Sequence, residues 1–600
     1  MLGTLSAPKN LAAGRALSAE SNAVPSWWTV EFAGLTSLQS VQITWQNPAV
    51  VGEYTVEVSS DNHTWVPAVR FRGPAAQSGV QQRLRAHNVR FVRVRVPRGA
   101  GKATALDVRG TVTRDEAVLE LEARKSFDYF WELANTDPNS AGFGLVTERT
   151  GRHDPSSTTT PEPTSTSGTG FGLAALVIGA ERGWKTREEA AQRALGTLNT
   201  LLALDERFGV LYHYYDRNSG EVWNWEDAGR SEVGLIDTQL MLNGVIVAGE
   251  YFGGEVKAKA DELYDRINWS SFRDTTPGPT YNWYHMSYFD DIEGFRYHWK
   301  FSSEAKLMYV LGAGAPTPAH AVTPEMFYAF ERHIAAYGET YPPIVNTWFG
   351  SLFTYQFAEI FADFRHSEDK NKIDWWRNAV VATKTHKEYA AREDRFLTFG
   401  PDMWGMSACM TPSEKYSSKV GAPPSGYNND SHENDGTVSP DGAGGSLAMD
   451  PEGVTRVLNN CYYNYPETWG TYGFLNALNF EEPDWVSHEE FALDKGAALV
   501  SIENDRSGLL WRMFMKNSNV LAGLEKCEIK YSVNTTPLDV AIAEAQIALD
   551  RATAASPPRS DAGELSGAIS AARDARLDAT TPEAVTQAAA ALKGVTDRFA

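Results

Sequence analysis

Between residues 115 and 532, apolar segments with helical periodicity alternate with polar and aromatic loops, and this alternation is the strongest constraint on the fold. Residues 116–134 place apolar side chains every three or four positions, the spacing of one helix face. Thr186 and Glu189 form the pattern of a capping box. This alternation of helices and loops is typical of an (α/α)6 toroid with a cleft built from loops. A helical array without ring closure has the same periodicity. Further helices are predicted at 232–252, 255–268, 301–312, 323–337, 347–366, 371–391 and 447–462.

The chain on either side of this region has a different character. Residues 1–113 contain several short segments in which apolar and polar residues alternate, which predicts a β-sandwich. Residues 537–600 are rich in alanine, and the segments SPPRS and ATTPE interrupt their helical pattern, which predicts a three-helix bundle. The sequence therefore predicts three domains, at 1–113, 114–532 and 537–600.

Charge and composition exclude several classes of protein. The net charge of −21 argues against nucleic acid as a partner, and it is uneven, with +6 in residues 1–113 and −27 in the rest. Three cysteines are too few for a disulfide scaffold. No apolar run is long enough to span a membrane. The first residues lack a signal-peptide pattern, so either the protein is cytoplasmic or a signal was removed before this numbering begins. The domain content described below favours removal, and we expect a secreted protein.

Three acidic residues stand at positions where loops lead into predicted helices. Glu232 and Asp237 precede and enter an apolar segment, and Glu304 follows a stretch rich in tryptophan and tyrosine. Hydrolysis of a glycosidic bond needs two carboxyl groups, one to donate a proton and one to act as base or nucleophile. On one helix, Glu232 and Asp237 would lie about 140° apart, so only one of them would face a common bond. Ser231 or Glu232 could also simply cap the helix.

Six separated blocks of the middle domain resemble the bacterial glycoamylase-like domain, which includes glycoside hydrolase family 144, the endo-β-1,2-glucanases. This resemblance implies an (α/α)6 barrel, hydrolysis of a glucan with inversion, and no organic cofactor. The blocks occur in the family's order at 166–198, 231–252, 301–317, 434–452, 468–479 and 494–515.

The resemblance assigns candidate catalytic residues by position. Asp237, followed by Thr238, matches the acid of the family's acid–Thr step, and Glu304 matches the acid at a later helix start. The β-1,2-glucanase members usually carry further aspartates in a Gly-Gly-Asp context upstream of the first acid. This chain has Arg230 to Gly234 there, and Glu232 is the nearest acid, which puts the linkage specificity in doubt.

Other positions are candidates for contacts with substrate. Asp435, in the polar loop NNDSHENDGTVSP, matches the family's loop residue best and could also be the base or a solvated turn residue. Aromatic loops near the candidate acids contribute Trp225 and Tyr297. Segments with family counterparts add Tyr355, Gln356 and Trp404 as possible subsite contacts.

No metal site is predicted. His285 and His298 lack the sequence spacing of typical metal ligands, and we interpret them as cleft or packing residues.

The terminal domains also resemble known modules. Residues 1–113 are similar to a discoidin-type carbohydrate-binding module, but the acidic-glycine loop that builds a calcium site in many relatives is missing between Ala19 and Trp27. Trp27, Trp28 and Trp65 could face a ligand or pack the sandwich. Arg93 and Arg95 share a strand face, where they could bind an acidic polysaccharide or form ordinary surface contacts. The C-terminal domain resembles FIVAR-type repeats, which implies a spacer or contacts with proteins or a cell surface.

These observations support one principal prediction and two alternatives. We predict an inverting glycoside hydrolase that acts on a β-glucan, with β-1,2-glucan as the first candidate; an α-glucan, an arabinan or another linkage is the alternative substrate. A polysaccharide lyase on the same fold would use a tyrosine–histidine pair, Tyr284-His285 or Tyr297-His298. A non-catalytic sugar-binding protein would not need both acids.

Overall fold

A computed structural model describes most of the chain, in two compact units. Residues 1–120 and 455–467 form the first unit, and residues 121–454 and 468–600 form the second. The domain boundaries predicted above stay a prediction. The described residues are 9–10, 18–21, 26–59, 65–73, 76, 78–96, 103–112, 115–150, 163–225, 229–481, 485–555, 559, 561–579 and 581–599.

The first unit is built on antiparallel β-structure, which confirms that part of the prediction. The long strand Ser26–Trp45 pairs with Gln81–Val96 over most of its length, and its second half also pairs with Ala103–Val112. Register shifts between Glu31 and Ser40 bend the strand, as β-bulges do. Buried Trp45 and Tyr54 contribute to the core. The strands are Lys9–Asn10, Ser18–Ser21, Ser26–Trp45, Glu53–Ser59, Val66–Arg72, Gln81–Val96 and Ala103–Val112.

The two arginines predicted to share a face do so beside an acidic residue. Arg93 Nε donates to Glu57 Oε2 at 2.8 Å, and Arg95 lies 3.8 Å from the same carboxylate. The Arg93 guanidinium also stacks 4.0 Å from the ring centre of Trp65. The side chains of Trp27 and Trp28, and the loop between Ala19 and Trp27 where no calcium site is expected, lie partly or wholly outside the described residues.

The second unit is mainly helical, and two buried helices lie at its centre. Thr166–Glu181 and Leu235–Phe252 pack against each other so closely that a Cβ atom on Gly244 would lie 1.8 Å from the Gly170 carbonyl oxygen. Both helices are buried along most of their length on every side and are predominantly apolar, as core helices are. The helices that complete the region before residue 530 are Asp115–Glu132, Arg187–Ala203, Gly254–Arg266, Lys306–Ala313, Phe353–Gln356, Trp375–Arg392, Pro440–Gly444, Pro451–Asn464, Ala492–Ser507, Leu509–Phe514 and Ser518–Lys526.

Short strands and single turns of 3-10 helix connect these helices. The strands are Arg149–Thr150, Pro163–Ser165, Glu206–Arg207, Val210–Leu211, Tyr214–Asp216, Asn224–Trp225, Gly229–Arg230, Val233–Gly234, His285–Phe289, Gly294–His298, Ile334–Ala335, Ile344–Val345, Ser367–Glu368, Cys409–Thr411, Lys415–Ser417, Trp469–Gly470, Gly473–Phe474, Leu478–Asn479, Trp485–Val486, Glu490–Phe491 and Lys530–Tyr531. The 3-10 turns among these connections are Trp269–Phe272, Asp290–Ile292, Pro324–Tyr328 and Pro466–Thr468; one more, Pro48–Val50, lies between strands of the first unit.

Two of the predicted helices are wrong. Within 323–337 only the 3-10 turn Pro324–Tyr328 forms, because the following residues pair as a strand with Ile344–Val345. Within 347–366 the helix is limited to Phe353–Gln356, and Gly350, with φ of 60°, interrupts any helix that would start earlier. The capping box is confirmed, since Thr186 and Glu189 each accept a hydrogen bond from the other's backbone N–H.

The three cysteines, Cys409, Cys461 and Cys527, are buried free thiols.

In the part of the chain that the structure describes, no helix combines the length and apolar character needed to cross a bilayer.

Three helices near the C-terminus share a core and pack onto the rest of the second unit. Thr536–Ala554, Ala562–Asp578 and Pro582–Thr596 surround buried leucine and isoleucine side chains. Asp539 accepts from Arg365 at 3.1 Å and from Arg576 at 3.4 Å. All three charged side chains are almost fully buried. This ionic contact therefore joins the helices to the loop that carries Arg365.

Replacing Asp539 tests how much this buried ionic contact contributes to stability. Asp539→Asn would remove the anion that two buried guanidinium groups share, although Arg365 keeps Asp363 as a partner, and we expect a loss of about 3 kcal/mol in the free energy of unfolding. Urea unfolding followed by circular dichroism measures it. The control is Asp597→Asn, which breaks an exposed pair with Lys593 and should change the unfolding free energy little. Equal changes in the unfolding free energy of the two variants would show that the buried ionic contact contributes no more than the exposed pair.

Candidate active site

A cavity of about 340 Å³ lies within the second unit, and acidic and aromatic side chains line it. Its carboxylates are Glu148, Asp237, Glu304 and Asp494. Its rings are Tyr214, Trp225, Phe353, Phe357, Tyr416 and Phe491. Carboxyl groups for acid–base chemistry and ring faces for sugar packing therefore share one enclosed space.

Asp237 enters the cavity from the first turn of the helix Leu235–Phe252. Its carboxylate folds back over the residue that precedes the helix, because a Cβ atom on Gly234 would lie 2.3 Å from Asp237 Oδ2. The other oxygen, Oδ1, is 3.2 Å from His213 Nε2. A glycine at 234 and the imidazole of His213 thus determine where this carboxylate points.

His213 bridges two acids. Its Nδ1 atom lies 2.9 Å from Glu232 Oε1, and its Nε2 atom faces Asp237. Its backbone N–H donates to the Glu232 carbonyl oxygen, and its ring stacks 3.8 Å from that of Tyr214. Burial acts to lower the pKa of His213, but the charges of Asp237 and Glu232 outweigh it and raise this pKa to about 9. The imidazole is therefore a cation near neutral pH.

The two partners of His213 have opposite pKa shifts. Burial raises the pKa of Asp237, and the charge of His213 reduces that rise without cancelling it. The pKa of Glu232 is lowered, because its hydrogen bond and attraction to His213 outweigh its burial. Glu232 precedes the helix, so the helical-wheel angle assumed from sequence does not apply to this pair. The structure places Glu232 behind His213, while Asp237 lines the cavity.

Glu304 reaches the cavity from the turn before the helix Lys306–Ala313. Burial raises its pKa to about 7; Lys306 acts in the opposite direction, and the charge of Asp237 adds to the rise. Lys306 is itself held by Glu359, with an N–O separation of 3.2 Å between two buried side chains. Asp237 and Glu304 are therefore electrostatic neighbours, and Glu304 holds its proton more firmly than an ordinary glutamate.

Two further carboxylates line the cavity that sequence reasoning missed. Glu148 accepts a short hydrogen bond from Ser165, the residue that caps the helix Thr166–Glu181, and burial raises its pKa to about 7. Asp494 lies in the first turn of Ala492–Ser507 and accepts from Asn476; burial raises its pKa to about 7. Glu148 had no distinguishing sequence signal, whereas Asp494 begins one of the family-like blocks.

Three predicted site residues, Trp225, Asp237 and Glu304, line the cavity together. Trp225 packs edge-on against Tyr214, with ring centres 5.4 Å apart.

Three other predicted contacts are buried and have structural partners. Tyr355 accepts a hydrogen bond from the Thr347 backbone at 3.0 Å. Gln356 donates at 2.7 Å both to the Gly442 carbonyl and to Ser446. Trp404 is fully buried. The cavity lining formed by the described residues does not include them, so a contact of these side chains with substrate stays a prediction.

Two other predicted contact residues, Asp435 and Tyr297, lie at the surface. Asp435 is exposed and accepts from the Thr437 backbone at 3.0 Å, a turn-type contact. Tyr297 is 66% exposed on the strand Gly294–His298. Tyr284, proposed as a lyase base, is fully buried, and His285 and His298 gather with Asp274 rather than with the lining of the cavity.

Comparison with known proteins finds family matches for two parts of the chain. Residues 296–518 match the family model described as "Putative glucoamylase", and residues 6–107 match the F5/8 type C domain. An exo β-1,2-glucooligosaccharide sophorohydrolase (non-reducing end) from Parabacteroides distasonis is 27% identical over 445 residues. That match covers 69% of this chain but 58% of the relative, so the chain spans less than two thirds of that protein's length.

Two solved structures share the fold of much of this chain. An endo-β-1,2-glucanase from Chitinophaga pinensis, in complex with sophorotriose and glucose, superposes with a TM-score of 0.60 and 25% identity, covering 70% of this chain and 99% of that one. A β-1,2-glucanase from Parabacteroides distasonis shares the fold, with a TM-score of 0.58, 22% identity, and coverage of 84% and 74%. Part of this chain is therefore similar to the F5/8 type C domain, and another part is similar to the glycoamylase model and to β-1,2-glucan hydrolases.

Proposed function

We propose that this protein hydrolyses β-1,2-linked glucan or its oligosaccharides with inversion, using Glu304 as general acid and Asp237 as general base. The proposal rests on one observation: Asp237 and Glu304 line the same cavity, and the electrostatic surroundings of the two carboxyl groups differ. An inverting hydrolase needs a protonated carboxyl on one side of the bond and an ionised one that activates water on the other.

The surroundings of the two acids support this division of roles. Burial holds the pKa of Glu304 near 7, so a large fraction of this group carries a proton at neutral pH. Asp237 is buried too, but it contacts a cationic imidazole that favours its ionised form. Glu232, on the far side of the imidazole, keeps His213 charged and in place, and is a positioning residue in this scheme.

The aromatic rings of the cavity suit the proposed substrate. Tyr214, Trp225 and Tyr416 provide faces against which the apolar side of a glucose ring can pack. The named activity of the relatives, on β-1,2-linked glucans or oligosaccharides, supports this linkage over the α-glucan and arabinan alternatives.

The proposal extends to the architecture. We infer that the helices of the middle region close into an (α/α)6 toroid around the central pair, that the N-terminal domain is a carbohydrate-binding β-sandwich, and that the last three helices form a bundle like the FIVAR repeats, available for protein or cell-surface contacts. Secretion is part of this proposal, because a module that binds polymeric carbohydrate works where the polymer is.

Charge removal at each acid tests the proposed roles. Glu304→Gln and Asp237→Asn should each lower kcat by about 10²–10⁴-fold, the usual contribution of a positioned acid or base. Reducing ends released from β-1,2-, β-1,3- and α-1,4-glucans measure the activity, with β-1,2-glucan expected as the substrate of the unmodified protein. Glu255→Gln, on an exposed helix turn, is the matched control and should keep full activity. Near-normal turnover in either acid variant would refute its role.

The pH dependence of the reaction gives a second test. Because Glu304 must carry its proton to act as acid and has a pKa of about 7, activity should be present below this pH and fall as pH rises through it. The alkaline limb of kcat/KM should therefore have a midpoint near pH 7. A plateau that continues past pH 9 would exclude Glu304 as the acid.

A third test displaces one carboxylate without changing its charge. Gly234→Ala would place a methyl group against Asp237 Oδ2, so we expect a clear fall in kcat with a smaller change in KM. Gly567→Ala is the control, because a Cβ atom there meets open space. Thermal unfolding of both variants establishes that they are folded. Unchanged kcat in folded Gly234→Ala would show that the position of Asp237 does not limit the reaction.

A further inference from the structure

Asp274, His285 and His298 converge outside the lining of the cavity described above. One ligand atom from each residue lies within 4.8 Å of the corresponding atoms of the other two. His285 and His298 are direct partners across the antiparallel strands His285–Phe289 and Gly294–His298, so their side chains leave the same face of the sheet. Their ring centres are 4.5 Å apart.

The carboxylate of Asp274 is oriented toward this pair. The Thr276 backbone N–H donates to Asp274 Oδ1 at 2.8 Å, which leaves Oδ2 at 2.9 Å from His298 Nε2. The backbone of Asp274 is fixed as well, since it exchanges hydrogen bonds with Asn282 and Trp283. A carboxylate held by an outer hydrogen bond and presented to two imidazoles is the arrangement that metal-ligating carboxylates have in proteins.

One buried ring nitrogen of the cluster makes no hydrogen bond of normal geometry with a described residue. This nitrogen is Nδ1 of His285, and the backbone of Tyr297 makes only a looser polar contact with this histidine. A buried polar atom without a partner is costly, and a bound ligand is one way to satisfy it.

We propose that Asp274, His285 and His298 bind one divalent transition-metal ion, with Zn²⁺ as the best match. Two imidazoles and one carboxylate favour Zn²⁺ and its first-row neighbours, whereas Ca²⁺ and Mg²⁺ prefer oxygen ligands alone. Ligands of a tetrahedral Zn²⁺ lie about 2.0–2.1 Å from the metal and hence roughly 3.3 Å from one another, so small side-chain rotations suffice to gather this cluster. Water would complete the coordination.

The position of the cluster indicates what the metal would do. The strand His285–Phe289 also pairs with Val233–Gly234, which leads directly into the helix that carries Asp237. The partner strand ends at His298, shortly before the turn that carries Glu304. A metal at this end of the three-stranded sheet would fix the relative positions of the segments that carry Asp237 and Glu304. In this proposal Asp274, His285 and His298 are therefore positioning residues.

Metal binding can be measured without reference to activity. Protein freed of any purification tag and stripped with EDTA is titrated with Zn²⁺ by calorimetry, and with Co²⁺ by its visible absorption. We expect one equivalent of each metal to bind and Zn²⁺ to raise the Tm. His285→Gln and Asp274→Asn should weaken binding by more than about tenfold, since even outer-sphere partners have effects of this size. His488→Gln, at an exposed histidine, is the matched control.

The outcomes separate a metal site from a structural hydrogen bond. If the residues only form the Asp274–His298 hydrogen bond, the variants will lower the Tm equally with and without Zn²⁺, and the unmodified protein will bind no stoichiometric metal. That result, or undiminished binding in folded double variant His285→Gln/His298→Gln, would overturn the proposal. Circular dichroism of each variant establishes folding before the titration, so loss of binding is read only from folded protein.

Discussion

The close approach of three buried helices is the constraint on which the site depends. Glycines at 170 and 244 let Thr166–Glu181 and Leu235–Phe252 come into backbone contact. A third helix, Ala492–Ser507, packs on the first, and its Gly496 lies against the ring of Phe171. Each of the three begins beside the cavity, with Ser165, Asp237 or Asp494 in its cap or first turn. A larger residue at any of these glycines would separate the helices and disperse the acids.

This convergence also explains how several carboxylates are tolerated in an enclosed space. Burial raises the pKa of Glu148, Glu304 and Asp494 to about 7, so protonation relieves part of the repulsion. The N-termini of helices favour negative charge, which offsets part of the remaining cost. The cationic His213 supplies a counter-charge to Asp237. The result is a set of acids in mixed protonation states, the condition that acid–base catalysis at neutral pH requires.

Sequence patterns predicted the parts of the fold that depend on local periodicity. Amphipathic helices such as Arg187–Ala203, with its capping box, and the alternating strands of the N-terminal domain fall where the pattern places them. The helix Thr166–Glu181 was not among the predicted helices, because it has no polar face and its four glycines are poor helix formers. The helix predictions for 323–337 and 347–366 were wrong because tertiary strand pairing and Gly350 override an apolar spacing that resembles that of a helix.

The site was predictable only where a residue could be matched to a motif. Asp237 and Glu304 were predicted by their match to family motifs and Trp225 from an aromatic loop; all three line one cavity, and their roles stay a prediction. Glu148 and His213 come from short loops without a pattern, and only the folded chain places them beside Asp237. The cluster of Asp274, His285 and His298 was missed because its members have no fixed sequence spacing: a strand pairing joins the two histidines, and loop hydrogen bonds hold Asp274 beside them.

The stereochemistry of the product tests the central claim most directly. If Glu304 and Asp237 act as acid and base in one displacement, hydrolysis of a β-1,2-linked glucooligosaccharide must invert the anomeric centre. Proton NMR during the first minutes of reaction should show the α-anomer of the new reducing end before mutarotation produces the β-anomer. Initial appearance of the β-anomer would mean a covalent intermediate and retention, and an unsaturated product would mean a lyase; either would contradict the account.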